Sequence, residues 1–145
     1  MPKSTAMCNA VLNLWYRGTA VANVADNAAA SPLTNTALAL ATASYSASST
    51  LASNEATYTN YLRKEDIARS GSGWNAASGG AIDNAAAVEF AQCGASGNTI
   101  TSAATGKTGG GAAEIFHYGD LNASIAVSNQ IQPRFAAGAI TITET

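Results

Sequence analysis

Charge is what this chain has least of. Seven Lys and Arg and nine Asp and Glu make up 11% of 145 residues, against about 25% in an average globular protein. The cations are scattered, and the one adjacent pair, Arg63 and Lys64, is followed at once by Glu65 and Asp66. No basic stripe exists to track a phosphate backbone, so nucleic acid is not an expected partner. Cysteine is as scarce. Cys8 and Cys93 lie far apart, form no Cys-x-x-Cys pair and have no histidine at ligand spacing, so neither zinc nor dithiol chemistry is supported and no cofactor is expected. They read as two buried free thiols. Long apolar runs are missing too: nothing approaches the ~20 residues that span a bilayer, and "MPKSTAMCNAVLNLWYRG" lacks the apolar core of a secretory leader. The expectation is a chain made in a cytoplasm, with no membrane partner.

What is present is small. The 47% hydrophobic fraction is carried largely by alanine, and the net charge is −2 with a pI near 5.2. Flat Ala, Ser, Thr, Gly and Asn faces cost little to desolvate and suit repeated protein contact; an alanine-rich coding bias would produce the same composition. The length fits one domain with a true core.

Cys8, Val11, Leu12 and Trp15 fall at i, i+3, i+4 and i+7, the stripe of an amphipathic helix over about residues 5–17, with Ser4 or Thr5 as N-cap and Gly18 as the stop. The stretch from Thr19 to Thr36, containing Pro32, reads as a connecting arm. "TALALATASYS" alternates as a strand. "EATYTNYLRKEDIARS" is ambiguous, since Tyr58 and Tyr61 fit a helical pair while Tyr and Thr favour strands; the expectation is a strand over about Tyr58–Ile67. "AAVEFAQ", "NTITSA", "AEIFHYGDL" and "ASIAVSNQIQ" read as further strands separated by Gly-rich turns. The closing "AITITET" sets Ile140 and Ile142 on one face and Thr141 and Thr143 on the other. Short strands at roughly ten-residue spacing point to a mainly β chain, an antiparallel β-sandwich of jelly-roll or Ig-like type, with a short N-terminal helix and extended arm. The divisions expected are residues 1–35 for helix and arm and residues 36–145 for the sandwich.

Catalytic signatures are weak. "TGKTGGG" at Thr105–Gly111 lacks the first glycine of a phosphate loop, with Thr101 in its place, and three glycines follow where a helix is required. A mobile hairpin turn is the better reading. His117 is the only histidine and has no nucleophile elbow or second imidazole to work with. Glu89, Glu114 and Asp120 show no spacing that favours glycosidase chemistry over solvated sheet faces. Trp74 with the tyrosines could form a contact platform, although aromatics in a small sandwich more often pack its core.

At "GWNAASGGAIDNAAAVEF" and "PRFAAGAITITET" the chain resembles a family of small virion proteins of tailed bacteriophages, whose members are commonly labelled tail fibre proteins and whose β-rich relatives serve as capsid decoration, or cement, proteins. "TALALATA" is similar to that family's "LYLALST" strand, Trp74 to Gly80 to its "WPAASGG" turn, Asn84 to Phe90 to its "NGAAITF" strand, "EIFHYGD" to "THFGIFD", and "RFAAGAITITET" to "SFAAGALTITLD". The likeness runs from about residue 36 to the end. "NYLRKEDIA" departs from the family's "GYARV", and the Gly-rich stretch at Gly94–Gly111 is longer.

The resemblance implies a compact β-sandwich with no enzymatic site. It implies a virion structural protein, with a capsid cement protein on the outer capsid surface as the preferred expectation. Such a protein is made in the host cytoplasm and bridges neighbouring major capsid protein subunits as a homo-dimer or homo-trimer. The alternative is a tail fibre or tail-associated host-binding module. The residues expected at interfaces are Val11, Leu12 and Trp15 on the helix, with Trp74, Tyr58 and Tyr61; Phe135, Ile140 and Ile142 are expected in the core of the closing strand.

Overall fold

Helix α1 (Thr5–Arg17) starts where the Ser4 hydroxyl accepts from the Met7 amide at 3.3 Å. It stops at Gly18, whose φ of 65° is left-handed and whose turn returns amides to the carbonyls of Asn13 and Leu14. The computed structural model describes residues 2–28 and 31–145, so positions 29 and 30 of the expected arm lie outside the described residues. The strands are β1 (Asn35–Ala41), β2 (Lys64–Ala68), β3 (Ala81–Asp83), β4 (Val88–Glu89), β5 (Asn98–Gly106), β6 (Ile115–Val127), β7 (Arg134–Phe135) and β8 (Thr141–Thr143). The fold is mainly β, with open antiparallel sheets and one short helix among the described residues, consistent with the β-sandwich class.

The chain divides into two compact units. The first takes Met1–Thr34, Ala68–Val88 and Phe135–Thr145; the second takes Asn35–Ile67 and Glu89–Arg134.

In the first unit α1 packs on β3 through Cys8, Leu12 and Tyr16, which are 4%, 0% and 0% exposed. The Tyr16 ring meets Trp74 edge-on, 4.6 Å between centroids. Asn9 and Asn13 accept from the amides of Gly80 (2.7 Å) and Ala77 (3.0 Å), fixing the helix to the turn before β3. Arg69 reaches the open end of α1 and donates to the carbonyls of Trp15 (2.5 Å) and Leu14, which satisfies acceptors that a helix terminus otherwise leaves unmade. Gly73 passes so close to Ala68 that an added Cβ would sit 2.0 Å from its carbonyl oxygen.

Strands β3 and β8 pair as Ala81↔Thr143, Ile82↔Ile142 and Asp83↔Thr141. Ile142 is buried between exposed threonines, as the alternation predicts. Glu144 donates its amide to Gly80 (2.9 Å), and Lys3 holds the Glu144 carboxylate and the Thr145 carbonyl, each at 2.8 Å. The buried Asn84 joins this unit's pieces. Its amide nitrogen donates to the carbonyls of Ala86 (2.7 Å) and Ala136 (2.8 Å), and its oxygen accepts from the Ile140 amide (2.8 Å).

In the second unit the four-stranded sheet runs β2-β1-β5-β6. β1 is buried on both faces from Thr36 to Ala41, as befits an interior strand. On one face Ala37, Ala39, Ala41 and Ala104 admit Tyr45 and Leu51 close to the backbone. Two expectations change here. Tyr58 to Leu62 is not a strand: Tyr61 donates its amide to Tyr58 at 2.8 Å and Asn60 takes a φ of 74°, so the i, i+3 tyrosine spacing comes from a turn. The strands expected at "AEIFHYGDL" and "ASIAVSNQIQ" are the single strand β6. Its pairing steps from Ser102↔Asp120 to Ile100↔Ile125, which makes Leu121–Ser124 a bulge.

Replacing Asn84 with Leu removes all three side-chain bonds and leaves the Ile140 amide without that acceptor in a buried setting. The expected loss is about 3 kcal/mol or more of unfolding free energy. Urea titration checks it; a loss below ~1 kcal/mol would show that Asn84 does not hold the unit together.

Candidate interaction surface

The residues expected at interfaces separate by burial. Leu12 and Trp74 (both 0% exposed) and Tyr58 (2%) lie inside their units. Trp74 and Leu12 belong to the first unit, Tyr58 and Tyr61 to the second. Tyr61 is half-buried against Phe90 (6.0 Å, stacked) and Tyr58 (5.3 Å, edge-on), and its hydroxyl accepts from Leu40 N–H at 3.1 Å and donates to Glu55 at 2.9 Å. Val11 is half-buried. Trp15 is 39% exposed and Met7 38%, so α1 buries one apolar stripe and presents the adjacent one.

A polar cluster that the sequence did not reveal sits in the second unit. Arg63, with 8% of its side chain exposed, grips both oxygens of Glu55 (2.9 and 2.6 Å) and donates to the Gly111 carbonyl at 2.9 Å. The Glu55 hydrogen bond raises the Arg63 pKa further above its ordinary value, partly offset by burial. Next to it, Glu65 accepts from the amides of Gly109 (3.3 Å) and Gly110 (2.8 Å), whose φ angles of 121° and 68° aim both N–H groups at the carboxylate. The Gly-rich turn does bind an anion, and that anion is the chain's own. Lys107 and Glu114 form an ion pair across the base of the turn, which lowers the Glu114 pKa.

Beside this cluster Leu62, Arg63, Glu65, Asp66 and Glu89 line a depression of about 440 Å³, of mixed charge. Glu89 is paired with Arg134 at 2.7 Å. Asp120 and His117 lie in β6, opposite Ser102 and Thr105. Both cysteines are free and buried. Among the described residues no group of three or more His, Cys, Asp or Glu is arranged to hold a metal ion, and no helix is long and apolar enough to cross a membrane.

The model of one family, described as Podophage GP4 fiber I protein gp80, matches residues 2–143. The chain belongs to this gp80 fiber family. It is therefore a phage virion structural protein of tail fibre-like kind. No curated protein matches it. The match extends the resemblance seen from residue 36 onward through the N-terminal helix. Within this gp80 family member, the two stretches that carried the resemblance are bonded to each other: Asn84 of "AIDNAAAVEF" holds Ala136 and Ile140 of "RFAAGAITITET".

Three measurements test the second unit. Glu55→Gln removes the charge partner of a nearly buried guanidinium and is expected to cost about 3 kcal/mol. Glu65→Gln, at a more exposed site, should leave stability within ~1 kcal/mol and speed tryptic cleavage after Lys107. Equal cleavage rates in both variants and the parent would deny Glu65 its hold on the turn. Burial raises the Tyr45 and Tyr58 phenols from 10.0 to about 12, and burial raises Tyr61 still further. The folded chain therefore keeps protons that the unfolded chain releases, so these groups stabilise the fold fully below pH 10 and progressively less as pH rises from 10 to 12. Ultraviolet titration should show these phenols ionising late and together with loss of β-type circular dichroism; ionisation of all five tyrosines near pH 10 with the fold intact would contradict this placement.

Proposed function

We propose that this chain is a non-catalytic fibre subunit of the virion, present in a limited number of copies at the tail, where it makes protein contacts with neighbouring copies and with the structure that carries it. The match to a fiber-protein family over residues 2–143 carries this reading. The pairing of Glu89 with Arg134 and of Glu114 with Lys107 supports it, because two of the three carboxylates weighed for a catalytic reading are engaged in ion pairs. The charge-poor composition also supports it, since such a surface is cheap to desolvate.

That same composition favours a second reading, a cement protein on the outer capsid surface that bridges major capsid protein subunits. In that case many modest contacts would add by avidity over the shell. The two readings differ in stoichiometry. Quantifying this chain against the major capsid protein in purified virions should give a small count, a few rings or trimers per particle, with antibody label at the tail. A count comparable to the capsid protein would overturn the fibre reading in favour of decoration.

A further inference from the structure

The four-stranded sheet of the second unit has two ends of opposite character. At one end β2 is five residues long and carries Lys64, Glu65 and Asp66 in succession, with Lys64 paired to Asp66 at 3.0 Å. A strand arriving there would strip water from three charges, which is how soluble proteins guard a sheet edge. At the other end β6 is 13 residues long and contains no Lys, Arg, Glu or Pro; His117 and Asp120 are its only charged or chargeable side chains apart from the phenol of Tyr118. Tyr118, 47% exposed, lies at the surface with Gly119 and Asp120. The bulge at Leu121–Ser124 and a second register shift at Phe116 leave His117–Asp120 as its longest regularly paired stretch.

We propose that this edge accepts the same segment of a second copy, antiparallel, about a two-fold axis through Tyr118. Charge and aromatic pairing together select the register; an axis through Gly119 also avoids like charges but sets Tyr118 across from Asp120 and forgoes the aromatic pair. An axis through His117 would oppose two imidazoles and set Asp120 against the second copy's Glu114, and an axis through Asp120 would oppose two carboxylates; like charges directly across a strand pair are destabilising. An axis through Tyr118 opposes the two phenol rings, sets His117 across from Gly119 and Asp120 across from Phe116, and brings no like charges face to face. Aromatic cross-strand pairs are favourable, and the two-fold doubles every contact. A segment this poor in charge is what the edge requires, and a second copy supplies it. The pairing is short, so association is weak and concentration-dependent, and it holds whether the protein sits on tail or shell.

The test uses the full chain. Sedimentation at rising concentration should show a monomer–dimer equilibrium. Tyr118→Lys, which sets two ammonium groups on the axis, should weaken it about tenfold or more. Because Cys8 and Cys93 are buried, Tyr118→Cys introduces a lone surface thiol; opposed Cβ atoms on paired strands are about 5 Å apart, so oxidation should trap a disulfide-linked dimer. Asp66→Cys, at the guarded edge, should stay monomeric. Tyr118 also packs against Tyr45 at 6.3 Å, so the lysine variant is read only with its circular dichroism preserved, and the cysteine trap decides independently. A chain that stays monomeric with no trapped dimer, a dimer indifferent to Tyr118→Lys, or equal cross-linking through Asp66→Cys would each overturn the proposal.

Discussion

The first unit depends on one buried amide. Asn84 has 0% exposure and spends its side chain on three backbone groups, two of them more than fifty residues away in the chain. Its own amide and carbonyl meet Ile140 and Gly138 as well. Without it the Ala136 carbonyl and the Ile140 amide would lose these partners, because β3 and β8 are only three residues each and do not reach them. A hydrophobic core this thin, built around Trp74, Tyr16, Leu12 and Ile82, gains its specificity from polar groups that have one way to be satisfied.

The second unit solves a different problem with alanine. Where a strand is flanked by large side chains, a covering loop stands off by about 10 Å; the alanine face of β1 lets Tyr45 and Leu51 settle closer. The alanine-rich composition, read from sequence as a surface property, is thus in part a packing device. The unit's aromatic bulk is concentrated in Tyr58, Tyr61 and Phe90, beside the buried Leu38, Leu40, Leu51 and Ile100. The Tyr61 hydroxyl links that cluster to Glu55 and so to Arg63.

Features set by neighbours in sequence were legible. The cap at Ser4, the stop at Gly18 and the period-two alternation around Ile142 all follow from local rules, and the structure has them. Features set at a distance were not. The spacing of Cys8, Val11, Leu12 and Trp15 defines a wide apolar face, and it is Trp74, from a distant loop, that draws Tyr16 rather than Trp15 inward. The turn at Tyr58–Tyr61 depends on a left-handed Asn60, a conformation the residue type permits without announcing. The partners of Asn84, Arg63 and Glu65 lie 44 to 56 residues away or across a turn, beyond any periodicity. The motif resemblance reached the family through two stretches that meet at Asn84; the outer capsid location it also implied is a finer expectation that the family match does not decide.

The carboxylate seated on the Gly109 and Gly110 amides has a consequence for solvent. A pair of backbone amides aimed at one point attracts phosphate or sulfate wherever it stands empty. Here the competing anion is tethered to the same chain, at an effective concentration set by the fold and of millimolar order or above. Free anions in a cell must displace it to bind. The turn is therefore an anion receptor already satisfied by the chain's own carboxylate.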